Sequence, residues 1–457
     1  MREARTDDDT VRLVLGKALA CVLVVGATAH ANPAGIVPGG IDGADRIDAV
    51  GTLEYEYEQD SSTVWRESVH DTNADPNSPL PLHRDLAFHQ FKHTLTPRLD
   101  VGLVRDMWFT VALPVTITQS RELRLDQGVD RSGSATVVDG LLPAAGFDAR
   151  DPSTPPTGDL MFRGPDRHGI DQVHVGIGIA PMNQHRDDTK PTWKIGAELR
   201  LAVGQVMKFD PAAPTANSGV SAGVHELRLW TSFDRKLEWP GLPSIEPWFE
   251  LFWQVPLANT TESLFQNPGF GARNTDKGQL AGVQFGFEAY AIDNAADRNR
   301  ISIDLGTKVV AHFEGRDYSE MWEVFAGNPA LALDADPTTM GVQPLPYPGI
   351  SNIENYLETR AKLAVRAELG PHVRLSAGTD IVWKTDHSIT FADAGVDLPT
   401  CGAGQTSHCE TSSNDVINPG TQEVNPLHNG KIDLVGHRYQ SQDNFGIVIG
   451  VSGQVIF

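Results

Sequence analysis

The charged residues with the most regular spacing fall on even numbers. Acids stand at Glu54, Glu56, Glu58, Asp100, Glu198, Glu226, Glu250, Glu288, Asp304, Glu358, Glu368 and Asp380. Bases stand at Lys92, Arg98, Lys194, Arg200, Arg228, Lys308, Arg360, Lys362, Arg366, Arg374 and Lys384. Each lies in a stretch whose odd positions are mainly apolar, so in an extended chain the charges share one face and the apolar side chains the other. Twelve acids and eleven bases on one face are intolerable in a dry core unless they pair, so water is expected to reach many of them. Two chemistries fit this wall. One is a hydrated pore whose acidic and basic sides orient polar solutes; the other is a cross-strand salt-bridge network that stiffens a narrow, largely closed body. The sharpest polarity sets Glu54, Glu56 and Glu58 against Arg360, Lys362, Arg366 and Arg374.

Other reactive residues are sparse. No G-x-S-x-G, H-E-x-x-H or Walker sequence occurs. His89 and His93 share the apolar face, whereas the neighbours His387 and Ser388 point opposite ways in a strand, so no catalytic constellation is recognisable and an enzyme is not expected. Nor is a cofactor. The segments 314–352 and 388–435 each hold six acids and one base, which suggests an acidic vestibule that concentrates cations or bridges divalent ions to lipopolysaccharide, or simply a soluble surface.

These residues must be positioned by strands. From Met107 the odd positions read Met107, Phe109, Val111, Leu113, Val115 and Ile117, and the even ones Trp108, Thr110, Ala112, Pro114, Thr116 and Thr118. The same period of two recurs in about twelve segments: 47–70, 84–104, 107–120, 169–182, 192–207, 222–234, 246–258, 277–292, 299–313, 353–369, 372–387 and 436–457. Tyr356–Leu369 has helical propensity, but its charges alternate strictly and a helix would mix the two faces. Connections alternate between short (Arg105-Asp106, 183–191, 235–245, 293–298, Gly370-Pro371) and long (71–83, 121–168, 208–221, 259–276, 314–352, 388–435). A membrane barrel with short periplasmic turns and long outer loops has this rhythm.

Bulk properties agree. The 457 residues have 40% hydrophobic content, a mean hydropathy of -0.25, 43 glycines and 30 prolines, so a large apolar core is not evident. After residue 31 no apolar run approaches the roughly 20 residues of a membrane helix. A net charge of -22 argues against nucleic acid as a partner. Residues 1–31 read as an export signal: Arg12 and Lys17 precede an apolar stretch, and Ala29-His30-Ala31 fits the small-x-small cleavage rule, predicting Asn32 as the mature terminus. The acidic Asp7-Asp8-Asp9 run is unusual there and leaves Val11 as an alternative start. In an oxidising exported compartment Cys401 and Cys409 are expected to form a disulfide. A metal site with His408 is the rival, though no fourth ligand is apparent.

The closing segment FGIVIGVSGQVIF places Phe445, Ile447, Ile449, Val451, Val455 and Phe457 on one face and resembles the carboxyl-terminal signature of Gram-negative outer-membrane β-barrels. His93–Val115 is similar to a strand-turn-strand of such barrels. The resemblance covers residues 47–457, and it implies an antiparallel transmembrane barrel in the outer membrane, surrounded by lipid and lipopolysaccharide, with Phe457 in the signal read by the barrel-assembly machinery. Residues 32–46 would then be a short periplasmic segment, able to cover the mouth only as a small flap. The expected function is a porin-like channel for passive diffusion of small polar or ionic solutes. The alternative is a non-conducting barrel that displays its outer loops to a partner or the cell surface; inward-folded loops or fully paired wall charges would favour it.

Overall fold

The computed structural model describes residues 37–39, 48–67, 82–241, 243–265, 276–294, 299–332, 346–392 and 428–457. Twelve antiparallel strands close into a barrel. They are β1 (Ala49–Glu67), β2 (Leu82–Gly102), β3 (Met107–Ala112 and Val115–Leu125, interrupted at Leu113-Pro114), β4 (Gln172–Met182), β5 (Thr192–Ala202) and β6 (Val224–Asp234). The circle continues with β7 (Ile245–Asn259), β8 (Leu280–Asn294), β9 (Asn299–His312), β10 (Tyr356–Leu369), β11 (Val373–Lys384) and β12 (Tyr439–Ile456). Each strand pairs with its sequence neighbours, and β12 returns to β1 with Val50 opposite Ile456 and Arg66 opposite Tyr439. The segments expected from alternation match these strands within a few residues.

Parity survives around the barrel because most registers pair odd with odd: Tyr55 with Val451, Leu227 with Leu199, Phe249 with Phe285, Leu305 with Leu363. The odd face is the outside. Leu53, Leu99, Ile177, Leu251, Phe285, Leu363 and Val451 are each more than 40% exposed, on strands spread around the full circumference. An apolar belt of that extent requires lipid, and closure leaves no unpaired backbone edge within it. Trp193 and Phe233 stack at the short-turn end, ring centroids 5.5 Å apart, while Trp253, Phe313, Trp383 and Phe445 ring the long-loop end as an interfacial girdle would. The protein is therefore an integral barrel of the outer membrane. Phe457 lies at the short-turn end, 68% exposed, with its N–H donating to the Ala49 carbonyl oxygen at 2.9 Å.

Bulges adjust the pattern where the interior demands it. Between His93–Thr118 and Thr94–Thr116 the register slips by one residue on β3. Below the slip Ile117 faces lipid; above it Gln119, Arg121 and Leu123 turn inward and are buried. The odd apolar face expected from Met107 to Ile117 holds, but the strand expected to end at 120 runs on to Leu125, and beyond the bulge the odd numbers face inward.

Candidate functional site: the charged lumen and its roof

One side of the lumen is paved with rings. Trp108, Trp230, Trp248 and Phe252 are inward-facing, and each stands directly opposite a glycine on the neighbouring strand: Gly178, Gly196, Gly286 and Gly282. A Cβ at any of these glycines would fall inside van der Waals contact of its ring, so the missing side chains are what let the rings lie flat across the adjacent strand. Trp108 and Trp230 then meet, with centroids 6.3 Å apart. Val37, from the amino-terminal segment, packs on Trp108 and Ala180 with Trp230 against that cluster.

Around these rings the wall charges are mostly paired. Arg98 chelates Asp100 (2.8 and 2.9 Å), Arg200 meets Glu198 at 2.9 Å, Arg228 meets Glu250 at 2.8 Å, and Lys194 meets Asp234 at 3.3 Å. Lys277 holds Glu226 at 3.1 Å, and Arg360 holds Glu358 at 2.6 Å. Arg374 and Arg300 share Glu368 at 2.6 and 3.3 Å, and Lys384 reaches Asp60 at 3.6 Å. Arg366 sits between Glu288 and Asp304. Among the described residues Glu54, Glu58, Lys92, Lys308 and Lys362 make no ion pair. The Lys308 Nζ lies 5.3 Å from the Phe252 centroid, and Arg228 lies 4.6 Å from the same centroid.

Between the rings and the charges lies an internal cavity of about 420 Å³. It runs from Val50, Asp100, Trp108 and Gln454 near the short-turn end up to Glu56, Glu250, Gln284 and Lys308 in the barrel middle, with Pro38 of the amino-terminal segment in its lining. Seven Lys or Arg side chains line it against five carboxylates, an inverted balance for a chain of net charge -22.

The long-loop end is roofed. The described parts of the segments between β3 and β4, β9 and β10, and β11 and β12 fold inward, where Leu141, Leu142, Met161, Phe162, Met321, Val324, Phe325, Leu331, Tyr347, Ile389 and Ile432 pack onto Val64, Leu86, Phe88, Leu123 and Tyr439 of the wall. Trp322 and Ala326 carry the layer on to Met207, and Ile350 with Phe265 to Val224 of β6. A short helix, α1 (Ala135–Val138), and a second, α2 (Trp322–Phe325), lie in this roof.

Buried guanidinium groups lock it. Arg167 donates to Glu323 at 2.8 and 3.1 Å and lies 4.8 Å over the Trp322 ring. Arg121 donates to the Ser319 carbonyl at 2.6 Å between Phe88 and Trp322. Arg66 donates to the carbonyls of Ala135 (2.6 Å) and Lys431 (3.0 Å) and pairs with Asp139 at 2.7 Å. Glu320 accepts from Ser441 at 2.7 Å and Ser62 at 3.4 Å. Burial in this layer pushes the Tyr347 phenol up to about 12 and raises the Asp433 carboxyl even though it accepts three backbone N–H bonds, from Phe391, Ala392 and Asn429.

All twenty-three even-numbered charges fall on strands with their faces turned from lipid, and twelve of them line the cavity. Of the basic group read opposite Glu54, Glu56 and Glu58, Arg360, Arg366 and Arg374 pair with the wall acids Glu358, Glu288 and Glu368, and Lys362 makes no ion pair among the described residues. The idea of an acidic vestibule in 314–352 is corrected for Glu320 and Glu323, which are bonded inside the roof because their carboxylates are the partners of Ser441 and Arg167. Cys401, Cys409, His408, Asn32 and the export signal lie outside the described residues. Sequence reasoning missed Arg66, Arg121, Arg167 and Arg316, the buried bases of the roof; Arg66 stands at the end of β1, Arg121 beyond the bulge of β3, and Arg167 and Arg316 in the connecting segments, where no unbroken period marks the inward direction.

No protein-family profile matches this chain, and no curated protein does. Among solved structures it is similar to an outer membrane channel from Pseudomonas putida F1, at 9% identity over 94% of this chain and 100% of that one, with a TM-score of 0.39. It is similar also to a FadL homologue from Pseudomonas aeruginosa (9% identity, 89% and 90% of the chains, TM-score 0.31) and to the outer membrane protease OmpT from Escherichia coli (7%, 90% and 97%, TM-score 0.27). Overlap this loose carries no argument about activity, which rests on the chain's own geometry.

Proposed function

We propose that this protein is a gated outer-membrane channel for small polar or ionic solutes. The observation that carries the proposal is the charged cavity of about 420 Å³ inside a membrane barrel, a volume in the range of about 300–1,000 Å³ that small-molecule sites occupy. A barrel whose only task was to hold loops would be filled by side chains at this level. The roof supports the second reading, a non-conducting barrel, because the apolar layer must move before a solute can pass.

Conductance of the refolded protein in planar bilayers separates the two. The surplus of bases around the cavity should make the pore prefer anions at low salt. Replacing Lys308 and Lys362, neither of which makes an ion pair among the described residues, together by Gln should shift the reversal potential toward cations. That shift should shrink near 1 M salt, where screening acts over about 3 Å. Leu363→Ile on the lipid face should change nothing. A folded protein without conductance under every voltage and salt condition would leave the structural reading standing.

A further inference from the structure

We propose that the lumen contains a binding site for a small organic carboxylate, with the carboxylate between Lys308 and Arg228 and the apolar body of the ligand against Trp230 and Trp108. The inference rests on the channel reading and names its solute class.

Three features converge. The first is a cation without an anion. Lys308 faces the cavity between Gln284 and Arg360 on the neighbouring strands, with no ion pair and no hydrogen bond among the described residues, and its Nζ lies 5.3 Å from the Phe252 ring centroid. Arg228, also in the lining, gives one nitrogen to Glu250, and its buried Nε has no partner. An incoming carboxylate would supply what both lack, and a hydrogen bond between charged groups in a confined site is stronger than one in bulk water.

The second is the way the two cations are held. Phe252 lies flat over Gly282, crosses from β7 toward β9, and meets both Arg228 on β6 and Lys308 on β9. One ring thus fixes two charges contributed by strands three places apart, with the Gln284 amide in the lining between them. The third is the floor. Trp230 is two residues from Arg228 on the same face of β6, and with Trp108 it presents aromatic surface to the same cavity. A purely inorganic anion would leave that surface unused, and a neutral apolar ligand would leave Lys308 unpaired.

The test uses the full chain refolded in detergent, with benzoate as the probe and benzamide as its neutral counterpart, measured by titration calorimetry. Benzoate should bind saturably and benzamide at least about tenfold more weakly, the ratio that one lost charged contact worth about 1.4 kcal/mol would give. Lys308→Gln should weaken benzoate binding by about tenfold or more, Lys308→Arg should preserve it, and Lys190→Gln, which removes a charge from a short turn outside the lumen, should not alter it. Absence of saturable benzoate binding, equal binding of benzamide, or wild-type affinity in Lys308→Gln would overturn the site. The comparison of the two probes on the wild-type protein needs no variant, so a misfolded mutant leaves the test intact. Chloride conductance answers separately whether the barrel is a channel, so a conducting barrel that ignores benzoate refutes the site and spares the channel.

Discussion

Arg167 and Glu323 are 1% and 4% exposed, with a separation of 2.8 Å, and a pair so deeply buried behaves unlike one on a surface. Its net contribution to stability is small, because two desolvation costs offset the attraction, but removing one partner leaves a naked charge in an apolar layer at a cost of roughly 3–5 kcal/mol. Arg167→Gln should therefore hydrate Glu323 and loosen the roof around Trp322. The expected readout is a larger or more frequent open state in bilayer recordings than the wild type gives. Replacing both partners, Arg167→Met with Glu323→Leu, removes the stranded charge and should restore the wild-type closed fraction. Equal recordings from the single variant and the wild type would show that this pair does not hold the roof shut.

The strands were legible in the sequence and the roof was not, and the difference is physical. A strand between lipid and water must alternate, and pairing odd with odd repeats the same phase from β1 to β12, so the charges at Glu198, Arg228 or Lys362 declared their side by number alone. The roof has no such period. Arg121 reverses its side only because a bulge shifts β3, and Arg66 and Arg167 are placed by several bonds to loop carbonyls and to Asp139 and Glu323. The ring-on-glycine pairs stand between these cases: both residues are visible in the sequence, but their adjacency follows only from the register. They carry a prediction for the element that bears them. Gly196→Ala would drive a methyl group into the Trp230 ring and should lower the unfolding temperature, read as the loss of the heat-modifiable band on gels, and should weaken benzoate binding with it. Gly51→Ala places its methyl where nothing lies within 4 Å and should behave as wild type.

At the scale of the whole barrel, stability depends on a seam that joins the two ends of the described sheet. β1 and β12 pair from Val50–Ile456 to Arg66–Tyr439, and β12 pairs on its other side with β11, so its central backbone groups are all claimed by one neighbour or the other. Opening that seam would expose two edges to hydrocarbon, where water cannot satisfy the freed N–H and C=O groups, at several kcal/mol for each group. Failure at the seam should thus be all-or-none rather than local. Ile449 is a suitable probe, opposite Tyr57 on one side and Thr379 on the other. Ile449→Pro removes a ladder N–H and adds a ring that a central strand does not accommodate, whereas Ile449→Val keeps both the backbone bond and the lipid-facing apolar surface. The valine variant should give the full yield of compact, heat-modifiable barrel on refolding. The proline variant should give almost none, and partial retention of the compact form with a proline at 449 would show that β12 is not needed to close the sheet.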